Sequence, residues 1–83
     1  MKVLVLKGGP DAEREVSLKS GGMVAVALRR AGLEVNEVAI DRPTQAELAA
    51  MAGEVVFPVL HGPWGEGGPM QEMLERDGRP FVG

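Results

Sequence analysis

The sequence predicts an α/β domain built on a parallel sheet. Three observations carry that expectation. Short apolar runs recur along the 83 residues, segments of helical period alternate with them, and the connections are short and rich in Gly and Pro. Such alternation gives parallel strands with helices on both faces.

The first run, Lys2 to Lys7, is leucine-rich and β-branched without polar alternation, as in a strand buried on both faces. Gly8-Gly9-Pro10 ends it. From about Ser17 to Ala31 the spacing becomes helical: Ser20, Met23, Val24, Ala27, Leu28 and Ala31 share one face, and Lys19, Arg29 and Arg30 face water. Glu13 and Glu15 before this helix and Arg29-Arg30 in its last turn complement its dipole, and Gly32 suits the C′ position. Leu33 to Ile40 alternates as a second strand near an edge. Thr44 and Glu47 form a capping box that starts a short helix running to about Met51. Val55 to Leu60 is the third strand. Pro58 within it has no N–H to donate, so it belongs at a strand end or on an unpaired side. Pro69 suits the N1 position of a third helix, with Met70, Met73 and Leu74 on one stripe and Gly78 at its end. Arg79-Pro80-Phe81-Val82-Gly83 then begins a fourth strand. The whole is a Rossmann-like three-layer domain with a four-stranded parallel sheet in the order 2-1-3-4. In that order the winding reverses between strands 1 and 3, and open α/β sheets bind ligands at this reversal, outside the strands' carboxyl ends.

Composition excludes several functions. Hydrophobic residues make up 45%, which suits a folded domain. Net charge is −3 with no basic cluster, and aromatic residues are only 4%, so neither the electrostatic footprint nor the stacking platforms of a nucleic-acid binder are present. No apolar run approaches the length of a membrane span, and Met1 to Leu6 is too short and too soon interrupted for a signal peptide. There is no cysteine, hence no disulfide and no thiolate metal site, in keeping with a cytoplasmic protein. One histidine with scattered acids is too little for a metal site.

The scarce chemistry gathers in two loops at strand ends. The first is Gly8-Gly9-Pro10-Asp11-Ala12-Glu13-Arg14-Glu15-Val16-Ser17; the second is His61-Gly62-Pro63-Trp64-Gly65-Glu66-Gly67-Gly68 and holds the only His and the only Trp. The first is neither Gly-x-Gly-x-x-Gly nor a P-loop, and its acids would repel a phosphate. A ligand with an ammonium group suits it better, with Glu13 as the direct partner; the alternative is that Glu13 and Glu15 serve only the helix dipole. His61 is placed to orient a carboxylate or move a proton, or else to bond a loop backbone. Glu66 favours the next helix's dipole or holds the His61 tautomer. Trp64 reads as a packing residue. Gly21-Gly22 within a helix points to close approach of another backbone. Ser17 and Ser20 have no histidine at base spacing, so no serine nucleophile is indicated.

Residues 7–21 closely resemble the N-terminal signature of D-alanine–D-alanine ligases. Val59-Leu60-His61-Gly62-Pro63-Trp64-Gly65-Glu66, followed by Gln71, Leu74, Gly78 and Pro80-Phe81-Val82-Gly83, resembles that family's second signature. The two occur in the right order and separation and together cover nearly the whole chain. The resemblance implies that residues 1–83 are the substrate-side domain preceding an ATP-grasp region, in an enzyme of peptidoglycan precursor synthesis. Such an enzyme activates one D-alanine with ATP as an acyl phosphate, and the amine of a second D-alanine displaces the phosphate. By resemblance Glu13 binds the ammonium of the first D-alanine, Val16 lines that pocket, His61 lies near the reacting carboxylate, and Glu66 joins the same network. Glu13 and His61 are then the catalytic candidates. ATP and Mg2+ belong to the full-length enzyme and none is expected on this segment, which alone is not expected to catalyse ligation. The family is commonly dimeric and cytoplasmic. Two departures stand out: Gly67-Gly68 follows Glu66 where the family usually has aspartate, and Pro10 replaces a small hydroxyl residue. Two other readings remain open on the residues: a nucleotide- or ligand-binding module, and an interaction domain that keeps the fold without the chemistry.

Overall fold

The computed structural model describes all 83 residues. Its elements are β1 (Lys2–Gly8), α1 (Arg14–Arg30), β2 (Glu34–Ile40), α2 (Gln45–Ala50), β3 (Val55–Val59) and α3 (Pro69–Asp77). All strand pairs are parallel and β1 is central, in the order β2-β1-β3. Alternate residues of β1 serve opposite layers. Leu4 and Leu6 join Leu48 of α2, Met70 and Leu74 of α3, and Ile40, Val56 and Leu60 in one buried cluster. The other face of the sheet receives α1, whose buried residues are Ser17, Gly21 and Ala25. The result is three layers.

The expected four-stranded sheet is corrected to three strands. The segment after α3 does reach the outer side of β3, but only Phe81 pairs there, with Val56. Val56 N–H donates to the Pro80 carbonyl at 2.9 Å and Val82 N–H to the Val56 carbonyl at 3.0 Å. Because strand residues alternate sides, the nitrogen of position 58 faces the same outer edge as that of 56. Proline offers no hydrogen there, so the ladder lacks its next rung. Pro58 thus occupies the unpaired side.

The first helix also differs. It begins at Arg14, three residues earlier than its spacing suggested, and its buried stripe is rotated. Met23 is 68% exposed, and Ala27 and Ala31 also face out. The sheet selects small residues instead: a Cβ at Gly21 would lie 2.5 Å from the Lys7 Cβ. That is an approach to a side-chain stem, which a larger residue would force apart.

Helix ends follow the sequence closely. Thr44 and Glu47 make both bonds of the capping box, at 3.1 and 2.7 Å. Leu33 N–H to the Leu28 carbonyl and Gly32 N–H to the Arg29 carbonyl close α1 as a Schellman motif. Pro69 opens α3 and Gly78 closes it.

Two ionic ties brace the layers. Glu37 on β2 accepts from Lys7 Nζ at 2.5 Å and from Arg29 at 3.0 Å, joining the sheet to α1. The buried Asp77 carboxylate holds Arg79 at 2.6 and 3.1 Å, and Arg79 in turn donates to the carbonyls of Leu48, Met51 and Gly53. Arg79 thereby caps the carboxyl end of α2 and fixes the entry to β3. The hydrogen bonds from Lys7 and Arg29 hold the Glu37 carboxyl below its ordinary value of 4.5, and those from Arg79 hold Asp77 below 3.8. Both groups have folded-state values below their unfolded ones. Their stabilisation is therefore fully present above the unfolded values and is lost as pH falls through the folded ones. The thermal midpoint is expected to fall as pH drops below about 4.5, and Glu37→Gln to flatten the upper part of that decline. Calorimetry from pH 6 to about pH 2.5 checks this, and a midpoint independent of pH there refutes it.

Candidate functional site

The chain leaves β1 for β2 on one side and later returns to β3 on the other, so the winding reverses between β1 and β3. Both glycine-rich loops leave the carboxyl ends of these two neighbours. One side chain holds the ends together. Ser17, fully buried in the first turns of α1, accepts from Gly8 N–H at 2.9 Å and donates to the Val59 carbonyl. A second tie links the loops: Asp11 Oδ2 accepts from the Trp64 backbone N–H at 3.1 Å, across 53 residues of sequence. A third secures the first loop from below. Arg14 Nη1 donates to the carbonyls of Gly9, at 3.0 Å, and Ile40, at 2.5 Å.

The second loop is folded on itself. Glu66 N–H reaches the Gly62 carbonyl at 2.9 Å and Met70 N–H the Trp64 carbonyl at 3.3 Å. Gly68 stands at the N-cap of α3 without a side-chain cap, its backbone pressed against the Pro63 carbonyl. Trp64 packs against the core cluster.

The site candidates take these positions. Glu13 lies at the N-cap of α1, is exposed, and its side chain makes no capping bond. Its carbonyl accepts from Ser17 N–H at 3.0 Å, so its backbone is fixed while its carboxylate is free. Val16, on the following turn, is 56% exposed, which is high for a valine in a folded domain. His61 follows β3, with Nδ1 at 3.6 Å from Glu66 Oε1. That is contact distance for an ion pair and too long for a hydrogen bond. His61 Nε2 is buried with no protein partner. A buried ring nitrogen without a partner is costly, so this atom is where a polar group of a ligand or a water is best received.

Electrostatics favour a cationic group at the first loop. Two amides at the start of the loop are taken: Gly8 N–H by Ser17, and Gly9 N–H by the Ile40 carbonyl at 2.9 Å. The nearest guanidinium, Arg14, is committed to carbonyls. Asp11, Glu13 and Glu15 remain as carboxylates, and no group of three potential metal ligands occurs. The charge of these side chains disfavours an anion at the loop.

The sequence reading passed over Asp11, Arg14 and Ser17 as site-building residues. Ser17 did leave a trace: with Gly21 and Ala25 it forms a small-residue row at four-residue spacing, the mark of a helix lying close on a sheet. Asp11 and Arg14 bond partners 53 and 26 residues away, and local spacing gives no sign of such pairs.

Fold and site together define a doubly wound α/β unit whose acid-bearing and histidine-bearing loops meet at its switch point. Comparison with known proteins makes this specific: the chain is similar along its full length to D-alanine–D-alanine ligases. It is 48% identical over all 83 residues to the D-alanine–D-alanine ligase of Moorella thermoacetica. Its backbone superposes with a TM-score of 0.76 on the VanG D-Ala:D-Ser ligase of Enterococcus faecalis, at 25% identity over 98% of this chain and 35% of that one. With the Bacillus anthracis D-alanine–D-alanine ligase complexed with ATP the TM-score is 0.74, at 30% identity over 98% of this chain and 27% of that one. The chain spans about a quarter of the length of the curated relatives it matches, 27% for the Moorella protein. No family model matches it.

Ser17→Ala removes the acceptor of a buried N–H and the donor to a buried carbonyl while adding no bulk. It is expected to lower stability by about 1–3 kcal/mol. Urea unfolding measures it, and a change below about 0.5 kcal/mol would show that the hydroxyl does not hold the strand ends together.

Proposed function

We propose that residues 1–83 are the substrate-side domain of an ATP-dependent D-alanine–D-alanine ligase, the segment that precedes its ATP-grasp region. The observation that carries this reading is the meeting of the two signature loops at one switch point, in a chain similar throughout to such ligases. The domain receives the first D-alanine. Glu13 pairs with its ammonium, Val16 lines the pocket beside it, and His61, with Glu66 at 3.6 Å, faces the carboxylate that is activated. In the full reaction a carboxylate oxygen of that D-alanine attacks the γ-phosphate of ATP, and ADP leaves. The amine of the second D-alanine then attacks the acyl phosphate, phosphate leaves, and D-alanyl-D-alanine forms.

Similarity both to D-alanine–D-alanine ligases and to a D-Ala:D-Ser ligase supports assigning this segment to the D-alanine that both names share. The second-substrate choice then lies elsewhere. This reading places the ATP and Mg2+ sites outside residues 1–83. They are held by the remainder of the full-length enzyme. A cytoplasmic homodimer acting in peptidoglycan precursor synthesis completes the reading; no helix here is long and apolar enough to cross a membrane.

The test is Glu13→Gln in the full-length enzyme. The change keeps size and hydrogen-bonding capacity and removes the charge that holds the ammonium. A charge-assisted hydrogen bond contributes about 1.5–3 kcal/mol, so kcat/KM for the first D-alanine is expected to fall roughly 10- to 150-fold with ATP affinity little changed. Glu15→Gln is the control, sharing the helix-dipole role without the substrate role. Equal small effects of both, with equal losses of stability, would mean that Glu13 only starts a helix.

A further inference from the structure

We infer that Asp11 is a positioning residue whose carboxylate sets the spacing between Glu13 and His61; the inference rests on the D-alanine site proposed above. Asp11 is held at both ends of its structure. Its carbonyl accepts from Arg14 N–H at 3.1 Å and so opens the first turn of α1, two residues before Glu13. Its carboxylate accepts from Trp64 N–H at 3.1 Å and so holds the loop that begins with His61. Gly62, the residue after His61, presses on it from a second side. A Cβ there would stand 2.6 Å from both Cβ and Cγ of Asp11 and 2.8 Å from Oδ2. Gly62 has φ +95°, so close approach and backbone conformation both require glycine.

The tie is the one side-chain hydrogen bond joining residues 8–13 to residues 60–68. Its first-loop side is rigid, because Arg14 pins Gly9 to Ile40 and Ser17 pins Gly8 to Val59. The second loop has internal bonds of its own but reaches the first only through Asp11 and apolar packing. Without the carboxylate, residues 61–66 can shift as a unit relative to Glu13. A substrate held at its ammonium by one loop and at its carboxylate by the other responds sharply to such a shift. Asp11 acts through Trp64 and Gly62 and does not itself contact the substrate.

Asp11→Ala, Asp11→Asn and Glu13→Gln in the full-length enzyme provide the test. Asp11→Ala is expected to raise KM for the first D-alanine about 5- to 30-fold, the loss of one partly buried hydrogen bond, with KM for ATP unchanged within about twofold. Asp11→Asn keeps an acceptor oxygen and recovers most of the loss. The Trp64 backbone amide, followed by 1H–15N NMR in the same protein, moves in Asp11→Ala and stays near its wild-type position in Asp11→Asn. If Asp11→Ala does not fold, Asp11→Glu replaces it: it keeps the charge but lengthens the tie by one methylene, and it raises the same KM. A wild-type KM for D-alanine in Asp11→Ala or Asp11→Glu, beside an impaired Glu13→Gln, overturns the inference and leaves the substrate-site reading intact. If Glu13→Gln is also silent, the substrate-site reading is what fails. Equal defects in Asp11→Ala and Asp11→Asn with an unmoved Trp64 amide would assign the effect to charge and overturn the positioning role.

Discussion

The hydroxyl of Ser17 is the contact on which the site's construction depends. It is fully buried, accepts from the last amide of β1, and donates to the last carbonyl of β3. Both groups would otherwise end their strands unpaired in the interior, which costs more than a hydrogen bond returns. One small side chain thus satisfies two strands and sits on a third element, α1. Its size matters as much as its polarity. Ser17, Gly21 and Ala25 form the buried row of α1, and Gly21 passes close over the Lys7 stem. A bulkier row would lift the helix, move its first turn, and carry Glu13 away from the end of β3.

Charge is distributed with the same logic. The strongest pairing, Asp77 with Arg79, lies where α2 ends and β3 begins, at the edge of the sheet away from the two loops. Lys7, Glu37 and Arg29 fasten α1 to the sheet along its length. At the first loop, by contrast, the Arg14 guanidinium is spent on carbonyls and Glu13 stays unpaired. Glu13 consequently presents a charge that no contact of the fold uses, whereas Asp11 spends its carboxylate on the Trp64 N–H.

Much of this was legible in the sequence because it is local. The capping box at Thr44, the Schellman close at Gly32 and the opening of α3 at Pro69 each follow from a few neighbouring residues. The switch point followed from strand order, which alternation and short connections restrict. The missed features are those decided by distant partners. Hydrophobic spacing placed Met23 inward, but nearness to the sheet favours small residues, and Met23 lies outside. Pro58, expected at a strand end or on an unpaired side, takes the unpaired side, and the edge it leaves accepts one bridge at Phe81 and no ladder. Asp11 looked like one more acid in an acidic loop, and only the fold brings Trp64 to it.

The crevice also fixes a division of labour. A loop that follows a central parallel strand and opens a helix is the usual seat of a phosphate, because free amides and the helix dipole meet there. Here Ser17 and Ile40 consume the first amides, Arg14 is turned to the backbone, and carboxylates line the rest. The same topology here presents the carboxylates of Glu13 and Glu15 beside that turn. The adjoining loop offers the buried Nε2 of His61, which has no protein partner, on a ring whose Nδ1 stands 3.6 Å from Glu66 Oε1. Parallel winding closes the long sequence gap between the loop that carries Glu13 and the loop that carries His61, and the Asp11 carboxylate joins them at the Trp64 N–H.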